Sequence, residues 1–138
     1  FLRILIHESK TVIVLTANTE SSIDFKMAPA EQELNLVKGI ARWVTGDKKG
    51  KGITTPNVVM GVRGTDFYAS YAPEAGESEI VCFSGNVEFL NSSDPSDKKN
   101  ITSNQWGGIG GKFGEKTAPV KDLPAQVIAK FDSIVPKK

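Results

Sequence analysis

Over the first ninety residues apolar side chains recur at alternate positions, and a helical period appears only once, between Asp122 and Val135. A period of two places successive side chains on opposite faces of a strand, whereas a period of 3.6 gathers them into one stripe of a helix. The chain is therefore predicted to be all-β, a sandwich or roll, with one closing C-terminal α-helix. Leu2 to Ile6 and Thr11 to Thr16 are apolar, β-branched runs separated by His7-Glu8-Ser9-Lys10, the pattern of strand, turn, strand. Alternation resumes at Ile23 and Phe25, at Leu34 and Leu36, and at Phe67, Ala69 and Tyr71. The polar stretches Gly46 to Gly52 and Asn91 to Asn100 read as surface loops. In the helical segment, Leu123, Val127, Ile128, Phe131 and Ile134 recur at helical spacing. Asp122 is its predicted N-cap, Pro124 falls in the first turn where a missing N–H costs nothing, and Pro136 marks the stop.

Two further features organise the strands. Sliding the sequence by 46 residues sets 12–45 against 58–91 without a gap: Thr19-Glu20 meets Thr65-Asp66, Gly39 meets Gly85, and Trp43 meets Phe89. This predicts one domain over 1–138 that contains a duplicated β module. Around Gly64 the alternation changes phase, since Val58, Met60 and Val62 are even-numbered while Phe67, Ala69 and Tyr71 are odd. A one-residue slip exchanges the two faces, so the strand must bulge or turn a corner there, which glycine permits. Arg63 and Asp66 then fall opposite the apolar set, on either side of the corner, and are expected to pair. Gly85-Asn86 is predicted to form a similar tight turn or bulge.

The chemical inventory argues against catalysis. One histidine and one cysteine in 138 residues cannot supply a three-ligand zinc site or the histidine cluster of a cupin-type centre. His7 lacks any surrounding signature of a Ser-His-Asp site and reads as a surface residue. Cys82, between Val81 and Phe83, reads as buried structural sulfur. Gly107-Gly108-Ile109-Gly110-Gly111-Lys112 lacks the glycine and the Ser or Thr that a phosphate loop requires, and is expected to be a flexible crossing between the last strand and the helix. Asp94 and Asp97 lack the rhythm of a calcium loop, and Glu74, Glu77 and Glu79 surround a solvated turn. No metal and no cofactor are expected. Seventeen basic against 16 acidic residues leave a net charge of +1 with no extended block of one sign, so nucleic acid is not an expected partner. No apolar run approaches the roughly 20 residues of a membrane helix. The chain begins at Phe1, from which a leader or anchor upstream is expected.

The segment Thr55-Pro56-Asn57-Val58-Val59-Met60-Gly61-Val62-Arg63-Gly64-Thr65-Asp66-Phe67 resembles the signature of FecR-type domains. Ile80 to Phe89 is similar to the strand pair that follows it in that family, and Ser22-Ile23 and Leu34-x-Leu36-x-x-Gly39-x-Ala41 are similar to its earlier elements. Past residue 90 the likeness fades; the glycine run and the helix are departures. The resemblance implies an extracytoplasmic all-β module, periplasmic or secreted, of the kind that relays an outer-membrane receptor's state to an anti-sigma segment. It implies a protein partner, an envelope receptor or regulator, and no enzymatic activity. Arg63, Gly64, Thr65 and Asp66 become framework residues of a β corner or partner contacts. The alternative is a small-ligand or glycan-binding domain using Trp43, Trp106, Tyr68 and Tyr71. Clustered exposed aromatics in a concave site would favour that reading, and an open strand edge or flat apolar patch would favour a protein partner.

Overall fold

The computed structural model describes residues 1–6, 10–23, 33–45 and 49–137, without the side chains of Lys49, Gly50, Lys51 and Arg63. His7, Phe25 and Gly46 to Lys48 lie outside the described residues. Ten strands form one hydrogen-bonded sheet: β1 (Leu2–Ile6), β2 (Thr11–Leu15), β3 (Glu20–Ile23), β4 (Glu33–Val44), β5 (Lys49–Thr54), β6 (Val58–Ala72), β7 (Glu77–Asn91), β8 (Lys98–Thr102), β9 (Gln105–Ile109) and β10 (Lys121–Asp122). One helix, α1 (Ala125–Ile134), follows them. The main path runs β1-β2-β4-β5-β6-β7-β9-β10, with β3 beside β4, β8 beside β7, and a direct β4–β6 pairing. All pairs are antiparallel except β4–β5.

The two faces of this sheet bury different things, and the alternation explains how. Ile13, Leu36, Ala41, Trp43, Phe67, Ile80 and Phe89 meet in one core around which the sheet curls. The opposite face of the same strands carries Val14, Tyr68, Val81 and Trp106, with α1 and Val135 laid over them. The helix is shorter than the sequence predicts. Asp122 pairs with Gln105 as strand rather than capping a helix, and α1 begins only after Pro124, whose φ of −64° and ψ of 154° are extended. A main-chain pairing to β9 thus competes successfully for the residues that the helical spacing had claimed.

The glycine run is also different from expectation. Gly107 and Gly108 are strand residues of β9, paired with Ile80 and Glu79. Their missing side chains admit neighbours: a Cβ on Gly107 would sit 2.9 Å from Ile101 Cδ1, and one on Gly108 would sit 2.7 Å from the Trp106 ring. The polar run after Thr45 is strand from Lys49 onward, with a register shift between Gly50 and Ile53. Lys98 to Asn100, expected as loop, belong to β8.

The corner at Gly64 is present. Gly64 has φ +56°, and the β6–β7 register shifts between Arg63 and Asp66 and again before Phe67. Val58, Met60 and Val62 before it and Phe67 and Ala69 after it all face the same core. Its partner strand kinks at Gly85, φ +93°. The first half repeats the arrangement. Gly39 has φ +103°, and a Cβ there would meet Thr19 as one on Gly85 would meet Thr65. Thr19 Oγ1 donates to Ile40 O at 3.2 Å, and Thr65 Oγ1 donates to Asn86 O at 2.9 Å. The register pairs Glu20–Lys38, Ser21–Leu36, Ser22–Asn35 and Ile23–Leu34 recur 46 residues on as Asp66–Ser84, Phe67–Cys82, Tyr68–Val81 and Ala69–Ile80. Before Thr19 the halves run one residue out of step, since Ile13 and Leu15 face the core as Val58, Met60 and Val62 do. On these pairings we propose that the single domain is built from two copies of one strand module.

Candidate functional site

Asp66 leaves the corner on the face opposite Phe67, and the β4–β6 register brings Arg42 alongside it. Arg42 alternates with core-facing Ala41 and Trp43, so it too must point to the outer face. Its guanidinium is a planar fork that matches a carboxylate bidentately. Nε donates to Asp66 Oδ1 at 2.8 Å and Nη2 to Asp66 Oδ2 at 2.9 Å. Nη1 donates to Asp132 Oδ1 of α1 and to the carbonyl of Val135 at 3.2 Å. The Phe83 ring covers the guanidinium at 4.2 Å. Burial opposes the charge of Arg42, but the hydrogen bonds and charges of Asp66 and Asp132 more than offset it, and its pKa lies above the ordinary arginine value. The group cannot act as an acid or base; it ties strand β4, the corner and the helix together.

Of the corner residues, Thr65 is buried and Asp66 is buried, while Gly64 is exposed. The carbonyl of Thr65 accepts from Thr45 N at 2.9 Å, which stitches the corner to the end of β4. Arg63 pairs through its backbone with Lys49 and Asn86, and its side chain lies outside the described residues. Sequence reasoning missed Arg42 as the partner of Asp66 because it lies 24 residues away. The usable signal was its outward phase between two inward residues. Asp132 carried no comparable signal, because only the docking of α1 brings it near.

The remaining candidates from the sequence include Cys82, the three glutamates and Asp97. Cys82 is fully buried and its thiol is pushed up to about 12 by burial, with Asp66 nearby acting in the same direction. Since the thiolate is the reactive form, native protein at pH 8 is expected to resist a thiol reagent such as DTNB until it unfolds. Labelling of the folded protein within minutes would contradict this. Glu79 is half-buried beside Trp106, and burial raises its pKa against the opposing pull of Lys112. Glu74 is exposed, and Glu77 accepts a hydrogen bond from the Lys112 amide at 3.3 Å.

Asp97 is more than a solvated loop residue. It accepts from Asn91 Nδ2 at 3.0 Å and from Thr117 N at 2.8 Å and Oγ1 at 2.5 Å, fastening the segment before β10 to the β7–β8 connection. The hydrogen bonds from Thr117 and Asn91 hold its carboxyl down at about 2. A carboxyl whose pKa falls on folding contributes stability above its unfolded value, near 3.9, and loses it as pH drops through the folded value. Asp97→Asn is therefore expected to flatten the stability profile between about pH 4 and pH 2, measured by urea unfolding across that range. An unchanged slope would contradict the assignment.

Trp43, Tyr68 and Trp106 are buried, and Tyr71 is half-buried against the inner core, so the four do not make a cluster of exposed aromatics. A cavity of about 400 Å³ opens between Asn57, Asn91, Ile109, Gly110 and Glu115. The amide groups that line it are already engaged: Asn57 with Gly76, Thr55 and Ser78, and Asn91 with Asp97, Glu115 and Ser93. Among the described residues, no group of three or more His, Cys, Asp or Glu is placed to hold a metal ion, and no helix is long and apolar enough to cross a membrane.

Residues 4–88 match the family described as FecR protein. The chain belongs to the FecR family. The match takes in the corner, Arg42, the first half of the 46-residue correspondence and the second as far as Glu88, and it stops before β8, β9 and α1. Two crystal structures of a candidate anti-sigma factor from Parabacteroides distasonis share the fold, each with a TM-score of 0.74 and 17% identity over 93% of this chain. The FecR chain spans 58% of that protein's length in each. No curated protein matches the sequence.

Proposed function

We propose that this FecR domain is a non-enzymatic, extracytoplasmic protein-interaction module of a bacterial envelope, which senses a receptor or regulator and passes the signal on by contact. The FecR match over residues 4–88 carries the reading. The fold shared with a candidate anti-sigma factor supports a regulatory role. The exposed surface is consistent with a protein partner: β1 ends the main strand path, and Phe1, Leu2 and Leu5 are three of the five large apolar side chains exposed among the described residues. An edge strand with few charges is a template for a partner's strand. The burial of Trp43, Tyr68 and Trp106 weighs against the glycan alternative.

The test is genetic and cellular. In the source organism the protein is expected in the envelope fraction, and deletion of its gene is expected to change transcription of a sigma-factor-dependent set of genes. Cytoplasmic fractionation together with an unchanged transcriptome would overturn the reading.

A further inference from the structure

Helix α1 sits on the outer face of the sheet, yet little in its own sequence makes it a helix. At ten residues it is below the length at which isolated helices hold in water. No side chain caps its N-terminus, its first turn has no acidic residue and its last turn no basic one. Asp132, near its C-terminus, opposes the helix dipole unless a cation answers it. No residue of α1 itself is fully buried; the contact is a stripe of Ile128 and Phe131, continued by Leu123 before it and Val135 after it. Beneath that stripe lies the outer face of the sheet, which is covered while α1 is in place. Val14, Tyr68, Val81 and Trp106 are buried, and the Tyr68 and Phe131 rings meet edge to face at 4.9 Å.

The ionic contact is built so that the helix can leave. Arg42 gives Nε and Nη2 to Asp66 and only Nη1 to α1 and the Val135 carbonyl. Losing α1 would leave Arg42 still paired bidentately within the sheet, and it would return Asp132, whose side chain is already 56% exposed, to water. No buried charge is stranded, which is what normally makes breaking such a pair expensive. We propose that α1 is a displaceable cover, and that the face beneath it binds a protein partner's amphipathic helix carrying an aromatic residue beside an acidic one. The chemistry of that occupant is given by the segment now seated there: apolar anchors on one stripe, with a carboxylate for the free arm of Arg42. This goes beyond the signalling role and does not require it.

The experiment uses the intact chain and, as probe, a synthetic labelled peptide of residues 123–137. In hydrogen exchange of the wild type, amides of α1 are expected to exchange roughly 100-fold faster than those of β6 and β7, the signature of local opening. Two variants free the face: Phe131→Ala with Asp132→Ala, and Ala129→Pro, which breaks the helix at an exposed position away from the sheet. Either, shown folded by its sheet signal in circular dichroism, is expected to bind the peptide about tenfold more tightly than the wild type, because the wild-type face is mostly occupied. The same peptide carrying Phe131→Ala and Asp132→Asn is expected to lose that binding. Protection of α1 equal to that of β6 and β7 would overturn displacement. Failure of the peptide to bind either folded variant would overturn the binding face. A wild-type dimer that exchanges α1 between copies would make the occupant a second chain and overturn the partner assignment.

Discussion

Arg42→Ala is expected to destabilise the domain by about 3–5 kcal/mol, the loss seen when one member of a buried ion pair is removed. The arginine side chain is 4% exposed and that of Asp66 is 11% exposed, with both carboxylate oxygens engaged at 2.8 and 2.9 Å. Removing the guanidinium leaves a carboxylate on a covered sheet face, strips the cation from Phe83, and removes the polar contacts to Asp132 and the Val135 carbonyl. For a domain whose total stability is on the order of 5–15 kcal/mol, this is a large fraction. Asp132→Ala removes only the exposed partner and is expected to cost no more than about 1 kcal/mol. Urea unfolding of the two variants side by side separates corner from helix. A loss for Arg42→Ala inside the range of an exposed pair would show that Asp66 is rehydrated or held by another group. Arg63→Ala, the pairing expected from the sequence, belongs in the same series.

Gly85→Ala is the second large effect. The residue has φ +93°, and a Cβ would lie 2.4 Å from the Gly64 carbonyl oxygen and 2.9 Å from Thr65 Cα. Both are backbone atoms of the facing corner, so no side chain can swing aside. A left-handed conformation costs a non-glycine residue about 1–2 kcal/mol, and forcing atoms into filled space adds about 1–3 kcal/mol. The expected loss is therefore about 2–5 kcal/mol. Gly76→Ala is the control, because φ is +64° but no heavy atom lies within 4 Å of its Cβ. It isolates the conformational cost of about 1–2 kcal/mol. Gly39→Ala, whose Cβ would lie 2.4 Å from Thr19 Oγ1 and 2.7 Å from Thr19 Cα, is expected to resemble Gly85→Ala if the two halves are copies. Thermal unfolding of the three variants tests this. Equal losses at Gly76 and Gly85 would mean that the corner relaxes freely, and a mild Gly39 variant would weaken the case for duplication.

The alternation of side chains decides most of the inner core without help from the fold. Leu34, Leu36, Ala41 and Trp43, and their counterparts Ile80, Cys82, Val87 and Phe89, pass from even to odd positions across Gly39 and Gly85 without leaving one core, and every one of them is buried. This is legible because a strand's period is local and a one-residue slip reverses it completely. The corner at Gly64 was legible for the same reason, whereas the signature that runs through it was read by resemblance. The absence of clustered histidine and cysteine is likewise a property of composition alone.

What the sequence could not decide are contacts between residues far apart that share no local period. Arg42 finds Asp66 across 24 residues and Asp132 across 90, and only pairing of β4 with β6 and docking of α1 bring the three together. The glycine run looks flexible in sequence because glycine lacks a side chain, yet in the fold that same lack lets β9 lie against Ile80, Ile101 and its own Trp106. Asp122 has a good capping side chain and a helical stripe after it, but β9 offers its backbone hydrogen bonds, and the helix starts three residues later. Periodicity assigns a residue to a face. Which neighbour covers that face, and which charge answers a buried charge there, follows only when distant strands have paired, because those energies depend on separation in space and not along the chain.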